Sequence, residues 1–261
     1  MTPTSVLVLT HKDSKTGDVL LPHLKWIKSY NPQSQVHVIV GDDSSSGPKY
    51  NWKNGDQPLR RWWIAHNDEV IGDVIAIVEW DTLVAIHWPD LPAHLDLAGK
   101  RLFIENKALR HRWQRKTMAD PTWHSDNWYW WPEIPLLDLA DNETAIGLIS
   151  FGCLLARRWV MDAICKPRWD QAYSRSIQNE LRFPTAANIE GARVGEIGLP
   201  SVSFTTVSVG PNEAIYHGVK TEYVGSFGNH SASLGGYEGQ LSAHQSRILS
   251  WPSKTQRDDA S

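Results

Sequence analysis

Residues 6–10 (VLVLT) are a short continuous apolar run, which reads as a buried strand. A polar turn, HKDSKTGD, follows it. From Asp18 the apolar positions change period: Leu20, Leu24 and Ile27 fall at i, i+4 and i+7, one face of a helix with Asp18 as its N-cap. Pro22 fits such a helix only in its first turn, where the missing N–H is not needed. Asn31-Pro32 ends it, because a residue before proline avoids helical backbone. Residues 36–40 (VHVIV) are a second strand that runs into Gly41-Asp42-Asp43. Strand, helix and strand in succession make a βαβ unit and hence a parallel sheet. Ligands of such sheets sit at the carboxyl ends of the strands. Thr10, His11, Asp42 and Asp43 are therefore expected to face one crevice.

Farther along, residues 58–65 read as a helix carrying Arg60, Arg61, Trp62 and Trp63. Residues 73–78 (DVIAIV) are a third buried strand that ends directly in Glu79-Trp80-Asp81. A fourth strand is expected at 102–105, another at 148–155 around Gly152, and a late one at 202–209; helices are expected at 158–165 and 171–181. From residue 225 the chain is rich in Gly, Ser, His and Gln, so the pattern divides into a folded unit, 1–224, and a polar tail, 225–261.

Composition narrows the function classes. With 41% hydrophobic and 21% charged residues the chain of 261 residues is expected to fold. A formal charge of -3 gives no broad attraction to nucleic acid or anionic membrane, and the basic cluster at 110–116 reads as a solvated helix face. Cys153 and Cys165 lack metal-type spacing and read as buried thiols of a reducing compartment. Neither a signal peptide nor an apolar run of about 20 residues is visible, so a soluble cytoplasmic protein is expected. Tryptophan is unusually frequent: 14, against 5 Phe. Trp123, Trp128, Tyr129, Trp130 and Trp131 crowd one stretch, where aromatic faces suit sugar rings as well as a core or a partner surface.

The sharpest chemistry is Glu79-Trp80-Asp81. A buried strand carries two carboxylates to the ligand edge of a parallel sheet, and in extended backbone alternate residues point the same way. Two adjacent acids repel, and a hard divalent cation, Mn²⁺ or Mg²⁺, relieves that repulsion while keeping positions open for diphosphate oxygens. The plainer reading is a solvated strand end.

The order VLVLT, helix, VHVIVGDD, apolar strand and EWD resembles the GT-A fold of glycosyltransferases over about residues 5–220, with EWD in the place of that fold's acid-x-acid metal motif. The resemblance implies a Rossmann-like α/β domain with a mixed, mostly parallel central sheet flanked by helices. It implies that Glu79 contacts the ribose or metal waters, that Asp81 ligates the metal, and that Trp80 joins the nucleotide-sugar pocket. Glu stands here for the commoner first Asp. Tyr216-His217-Gly218-Val219-Lys220 is similar to the His-Pro-Val-Lys segment of such enzymes, with Gly for Pro. His217 is then a third metal ligand, and Lys220 neutralises phosphate. Thr10, His11, Asp42, Asp43 and Arg60 fall at the nucleotide end. Trp128, Trp130 and Gly152 fall on the acceptor side. Glu180 takes the place of the general base of inverting members, with Glu190 and Glu196 as weaker alternatives and a surface ion pair to Arg175 or Arg182 as the plain reading.

The expected activity is transfer of a sugar from a nucleotide-diphosphate donor to a carbohydrate or other hydroxyl acceptor. Two rivals stand beside it. A nucleotidyltransferase acting on sugar phosphates shares acid-x-acid metal sites, but its glycine-rich phosphate loop is poorly matched by HKDSKTGD. A non-catalytic carbohydrate-binding protein would account for the tryptophans.

Overall fold

The computed structural model describes residues 1–10, 14–41, 54–84, 86–104, 131–140, 144–149, 153–197, 201–203 and 215–217. Its strands and α-helices follow in chain order: β1 (Ser5–Thr10), α1 (Ser14–Tyr30), β2 (Gln35–Val40), α2 (Asp56–His66), β3 (Val74–Glu79), β4 (Leu83–Val84), β5 (Leu97–Gly99), β6 (Arg101–Ile104), β7 (Ile146–Ile149), β8 (Cys153–Arg157), α3 (Arg158–Ile164), α4 (Asp170–Ser174), α5 (Asn179–Ile189), β9 (Val194–Glu196), β10 (Ser201–Ser203) and β11 (Ile215–His217). Among the described residues no helix is long and apolar enough to cross a membrane.

A six-stranded sheet, ordered β2-β1-β3-β8-β5-β9, forms the centre. The pairs β1–β2, β1–β3 and β5–β9 are parallel, while β8 runs antiparallel to both β3 and β5. The sheet is thus mixed and mostly parallel, the α/β architecture expected. Its strands are apolar on both faces because helices cover both. On one face Leu7, Ile75 and Ile77 pack with Leu59 and Trp63 of α2, Val160 and Ile164 of α3, and Leu181 and Phe183 of α5. On the other, Val6, Val8, Ala76 and Val78 pack with Ile27 of α1 and with Val84, Ile86 and Leu91. The period of two along β1 and β3 sorts these residues between the faces.

Several elements depart from the sequence pattern. Helix α1 begins at Ser14 rather than Asp18 and runs through Pro22, so the Asp18 carbonyl has no Pro22 N–H to accept. The apolar run at 148–155 is two strands, not one: β7 pairs with β6 in a separate two-stranded sheet, whereas β8 enters the central sheet. The helix expected at 171–181 is also divided. Helix α4 ends at Ser174, and α5 starts at Asn179. The cause is Arg182, whose guanidinium takes the Ala172 and Arg175 carbonyls as acceptors and so stabilises the break. Helix α5 ends on Gly191 (φ 93°), with Gly191 N–H donating to Asn188 and Ala192 N–H to Ala187. That pair of bonds is a Schellman cap, and it aims the chain into β9. Of the late strand at 202–209, Ser201–Ser203 are described, and the rest lies outside the described residues, as does the tail at 225–261.

Arg182 is fully buried, and its guanidinium forms a two-armed pair with Asp56 at the start of α2. Burial opposes its charge, but the charge and hydrogen bonds of Asp56, with Tyr173 and Glu133 nearby, hold the guanidinium above its ordinary pKa. Tyr173 lies between two cations, Arg60 at 5.0 Å and Arg182 at 4.7 Å from its ring centroid. Arg182→Met should leave Asp56 as a buried charge without its partner. Urea unfolding should show a loss of about 3–5 kcal/mol, and the double replacement Asp56→Leu with Arg182→Met should lose less than the single.

Candidate active site

The carboxyl ends of β1, β2 and β3 lie side by side: Thr10 is in register with Val40, and Leu9 with Glu79. Thr10 is buried, and its carbonyl accepts the Gly41 N–H at 2.7 Å. Glu79 continues the alternation Ile75, Ile77, Glu79 and so falls on the face covered by α2, α3 and α5.

The acid triplet is not extended, contrary to the expectation. The Trp80 N–H still bonds the Leu9 carbonyl at 2.8 Å, but the Thr82 N–H then turns back to the Glu79 carbonyl at 3.0 Å. Glu79 to Thr82 is thus a tight turn with Trp80 and Asp81 at its centre. Glu79 and Trp80 are half-buried, and Asp81 is buried, 9% exposed. Glu79 therefore ends β3, and Asp81 belongs to the turn between β3 and β4 rather than to an extended strand.

A buried histidine supports that turn. His23 of α1 is 2% exposed, and its Nδ1 lies 2.8 Å from the Trp80 carbonyl oxygen. A carbonyl only accepts, so Nδ1 carries the proton and donates. Burial pushes the imidazole pKa down to about 4, and the bond to Trp80 raises it only partly back. The ring is neutral at neutral pH.

The small sheet β10-β11-β4 brings the distant end of the chain to the same place. Strand β11 pairs antiparallel with β4, Ile215 opposite Val84 and Tyr216 opposite Leu83. One step farther along that register, His217 comes opposite Thr82, next in sequence to Asp81. Two carboxylates, Glu79 and Asp81, with a histidine at this backbone position are residue types whose donors suit Mn²⁺ or Mg²⁺. Among the residues whose side chains are described, no three His, Cys, Asp or Glu already stand grouped as a metal site.

Glu79 and Glu180 line one shallow open cleft, together with Asp56, Asn179 and an apolar wall that includes Leu9, Leu59, Leu148 and Phe183. Glu180 lies in the first turn of α5, half-buried, and Gln178 Nε2 donates to its Oε2 at 3.4 Å. The surface pairing weighed for it takes other partners: Arg175 binds Asp138 and the Leu136 carbonyl, and Arg182 binds Asp56. The alternative acids serve the fold. Glu190 holds Lys166, Arg168 and the Trp169 N–H, and Glu196 accepts the Leu102 N–H.

Arg60 has structural partners as well. It is 8% exposed and donates to the carbonyls of Ile164, Cys165 and Lys166 and, at 2.5 Å, to Asp170. These bonds tie α2 to the end of α3, and Arg60 is not among the residues that line the cleft. His11, Asp42, Asp43, Trp128, Trp130, Gly152 and Lys220 lie outside the described residues. Of the aromatic stretch, Trp131 is described, and it is buried in the core. Sequence reasoning missed Asp56 and His23. Asp56 had a signal, an acid just ahead of a helix, whereas His23 had only its place on the apolar face with Leu20 and Ile27, which marks burial and not a partner.

No family model matches the chain, and no curated protein matches it in sequence. Solved structures that it resembles are glycosyltransferases. LgtC, in the form of an active-site mutant, is 13% identical with a TM-score of 0.41, covering 81% of this chain and 86% of LgtC. The apo form of GlyE from Streptococcus pneumoniae TIGR4 is 12% identical with a TM-score of 0.47, covering 97% of this chain and 66% of GlyE. Mouse xyloside xylosyltransferase 1 is 11% identical with a TM-score of 0.37, covering 84% of this chain and 98% of that enzyme. At TM-scores below 0.5 this likeness by itself assigns neither family nor activity.

The neutral His23 makes stability depend on pH. Its folded pKa of about 4 lies below the ordinary 6.5, so between those values the unfolded chain binds more protons. Stability is therefore lost as pH falls through that window, by roughly 3 kcal/mol from this group at its lower end. Denaturant melts from pH 7 to pH 4 should show a shallower decline in His23→Asn than in the wild type.

Proposed function

We propose that the chain is a metal-dependent glycosyltransferase that moves a sugar from a nucleotide-diphosphate donor to a hydroxyl acceptor, with inversion at the anomeric carbon. The observation that carries this reading is one cleft, at the carboxyl ends of the parallel strands, lined by both Glu79 and Glu180. The pairing of β11 with β4, which puts His217 in register beside the acid turn, supports the metal part. When bound, Mn²⁺ or Mg²⁺ supplies positive charge against the leaving diphosphate. Glu79, Asp81 and His217 hold it, and Trp80 and Thr10 border the donor pocket. Glu180 takes the proton of the acceptor hydroxyl as its oxygen attacks the anomeric carbon and the bond to the diphosphate oxygen breaks. Leu9, Leu59 and Phe183 form the apolar part of the cleft wall, beside the carboxylates. Burial pushes the Cys153 and Cys165 thiols up to about 12, so both stay protonated at neutral pH; a cytoplasmic setting is part of the same proposal.

Thermal melts with a panel of nucleotide diphosphates test the donor and metal parts together. A Mn²⁺-dependent rise in Tm is expected for the wild type, and Asp81→Asn should abolish that rise while its own Tm holds or increases. A carbohydrate-binding protein would respond to sugars and not to nucleotide with metal. Retention of the full Mn²⁺-dependent rise in Asp81→Asn would remove Asp81 from the metal site.

The chemical step has a separate test. Glu180→Gln keeps nearly the same shape but loses the affinity for a proton. It should lower kcat by about 10²–10⁴-fold and leave the nucleotide-dependent rise in Tm intact. NMR of the first-formed product should show the anomeric configuration opposite to that of the donor. A product that keeps the donor's configuration would overturn the role of Glu180.

A further inference from the structure

Asp81 occupies the third position of a four-residue turn, Glu79 to Thr82. In such turns the central peptide, here the Trp80 carbonyl and the Asp81 N–H, has two orientations related by a flip. The flipped form carries its third residue into positive φ. Asp81 is not at positive φ, whereas Asp138, at 39°, is. Aspartate is among the residues that tolerate positive φ, so its own preference holds the turn only weakly. The group that meets the central carbonyl is His23 Nδ1, 2.8 Å away on a buried ring.

We propose that His23 is a positioning residue: its Nδ1–H grips the Trp80 carbonyl, locks the central peptide of the turn in one orientation, and so sets where the Glu79 and Asp81 carboxylates stand. This rests on the reading of the turn as a cation site for its consequence, but not for its geometry. The bond also ties the crossover helix α1 to the ligand edge of the sheet, so that α1 and the β3–β4 turn move as one. Outer-shell hydrogen bonds of this kind typically govern metal affinity without touching the metal.

Three variants separate positioning from space filling. His23→Leu fills the buried volume and has no donor. His23→Asn carries its amide nitrogen on Cγ, where His carries Nδ1, and so restores the donor. His23→Gln puts that nitrogen one bond farther out and supplies the same contrast with Asn if the Leu variant does not fold. Amide exchange followed by NMR reads the turn directly, through the Thr82 N–H that closes it on Glu79. Exchange at Thr82 should be about tenfold faster in His23→Leu and close to wild type in His23→Asn. Binding of Mn²⁺ alone, read from the paramagnetic resonance of free Mn²⁺, should weaken about 10–100-fold in His23→Leu and recover in His23→Asn. Equal damage in the Leu and Asn variants, or none in the Leu variant, would overturn the proposal. A wild type that takes up no Mn²⁺, while Thr82 exchange still separates Leu from Asn, supports the positioning role and removes the metal reading instead.

Discussion

The parallel pairing of β1 with β3 is the constraint on which the rest depends. Its register sets Leu9 beside Glu79, and the period of two then decides which face each side chain meets. Glu79 falls on the side of α2 and α5, which is why it shares a cleft with Glu180 from a helix about a hundred residues later in the chain. A slip of β3 by one residue would exchange its Ile75 and Ile77 face for its Ala76 and Val78 face and carry Glu79 toward α1. Both faces are packed, so such a slip has no compensating arrangement.

Beside the cleft lies a polar network that is costly to bury and whose charged groups hold helices together. Arg182 binds Asp56, Arg60 binds Asp170 and three carbonyls, and Tyr173 lies between the two guanidinium groups. A buried ion pair of this kind contributes little net stability but strongly disfavours any arrangement that separates its members. Here it fixes the start of α2 against α5 and breaks the chain between α4 and α5, so that Glu180 stands in the first turn of a helix rather than in the last turn of one. The position of the proposed base is therefore set by an arginine two residues away that is buried in the core.

The two halves of the proposed metal site are assembled differently. Glu79 and Asp81 are close in sequence and share one tight turn. His217 reaches the same turn only through the small sheet β10-β11-β4, whose pairing lies outside the central sheet. Long-range pairing of that kind leaves no mark on the local pattern, and the similarity of Tyr216-His217-Gly218-Val219-Lys220 to a known segment was the one signal for it.

What the sequence by itself determined were the elements whose pattern is strong and local. Strands at 6–10, 36–40 and 73–78, the helix over 58–65 and the parallel β1–α1–β2 unit follow from apolar runs and periodicity, and so does the delivery of Glu79 to the ligand edge. The tertiary structure alone decided where those patterns break. Residues 148–155 are largely apolar; Ser150 and Gly152 hint at an interruption, but only the pairing shows that one strand leaves for a second sheet. Pro22 sits inside α1 because packing of Ile27 against the sheet outweighs one missing hydrogen bond. Arg60 and Arg182 look in sequence like surface cations, and their roles follow from carbonyls and acids supplied by other helices. His23 is the extreme case. Its place at i+3 from Leu20 and i−4 from Ile27 puts it on the apolar face of α1 and so marks burial, but it carries no information about a carbonyl 57 residues away, and only the fold brings the two within a hydrogen bond.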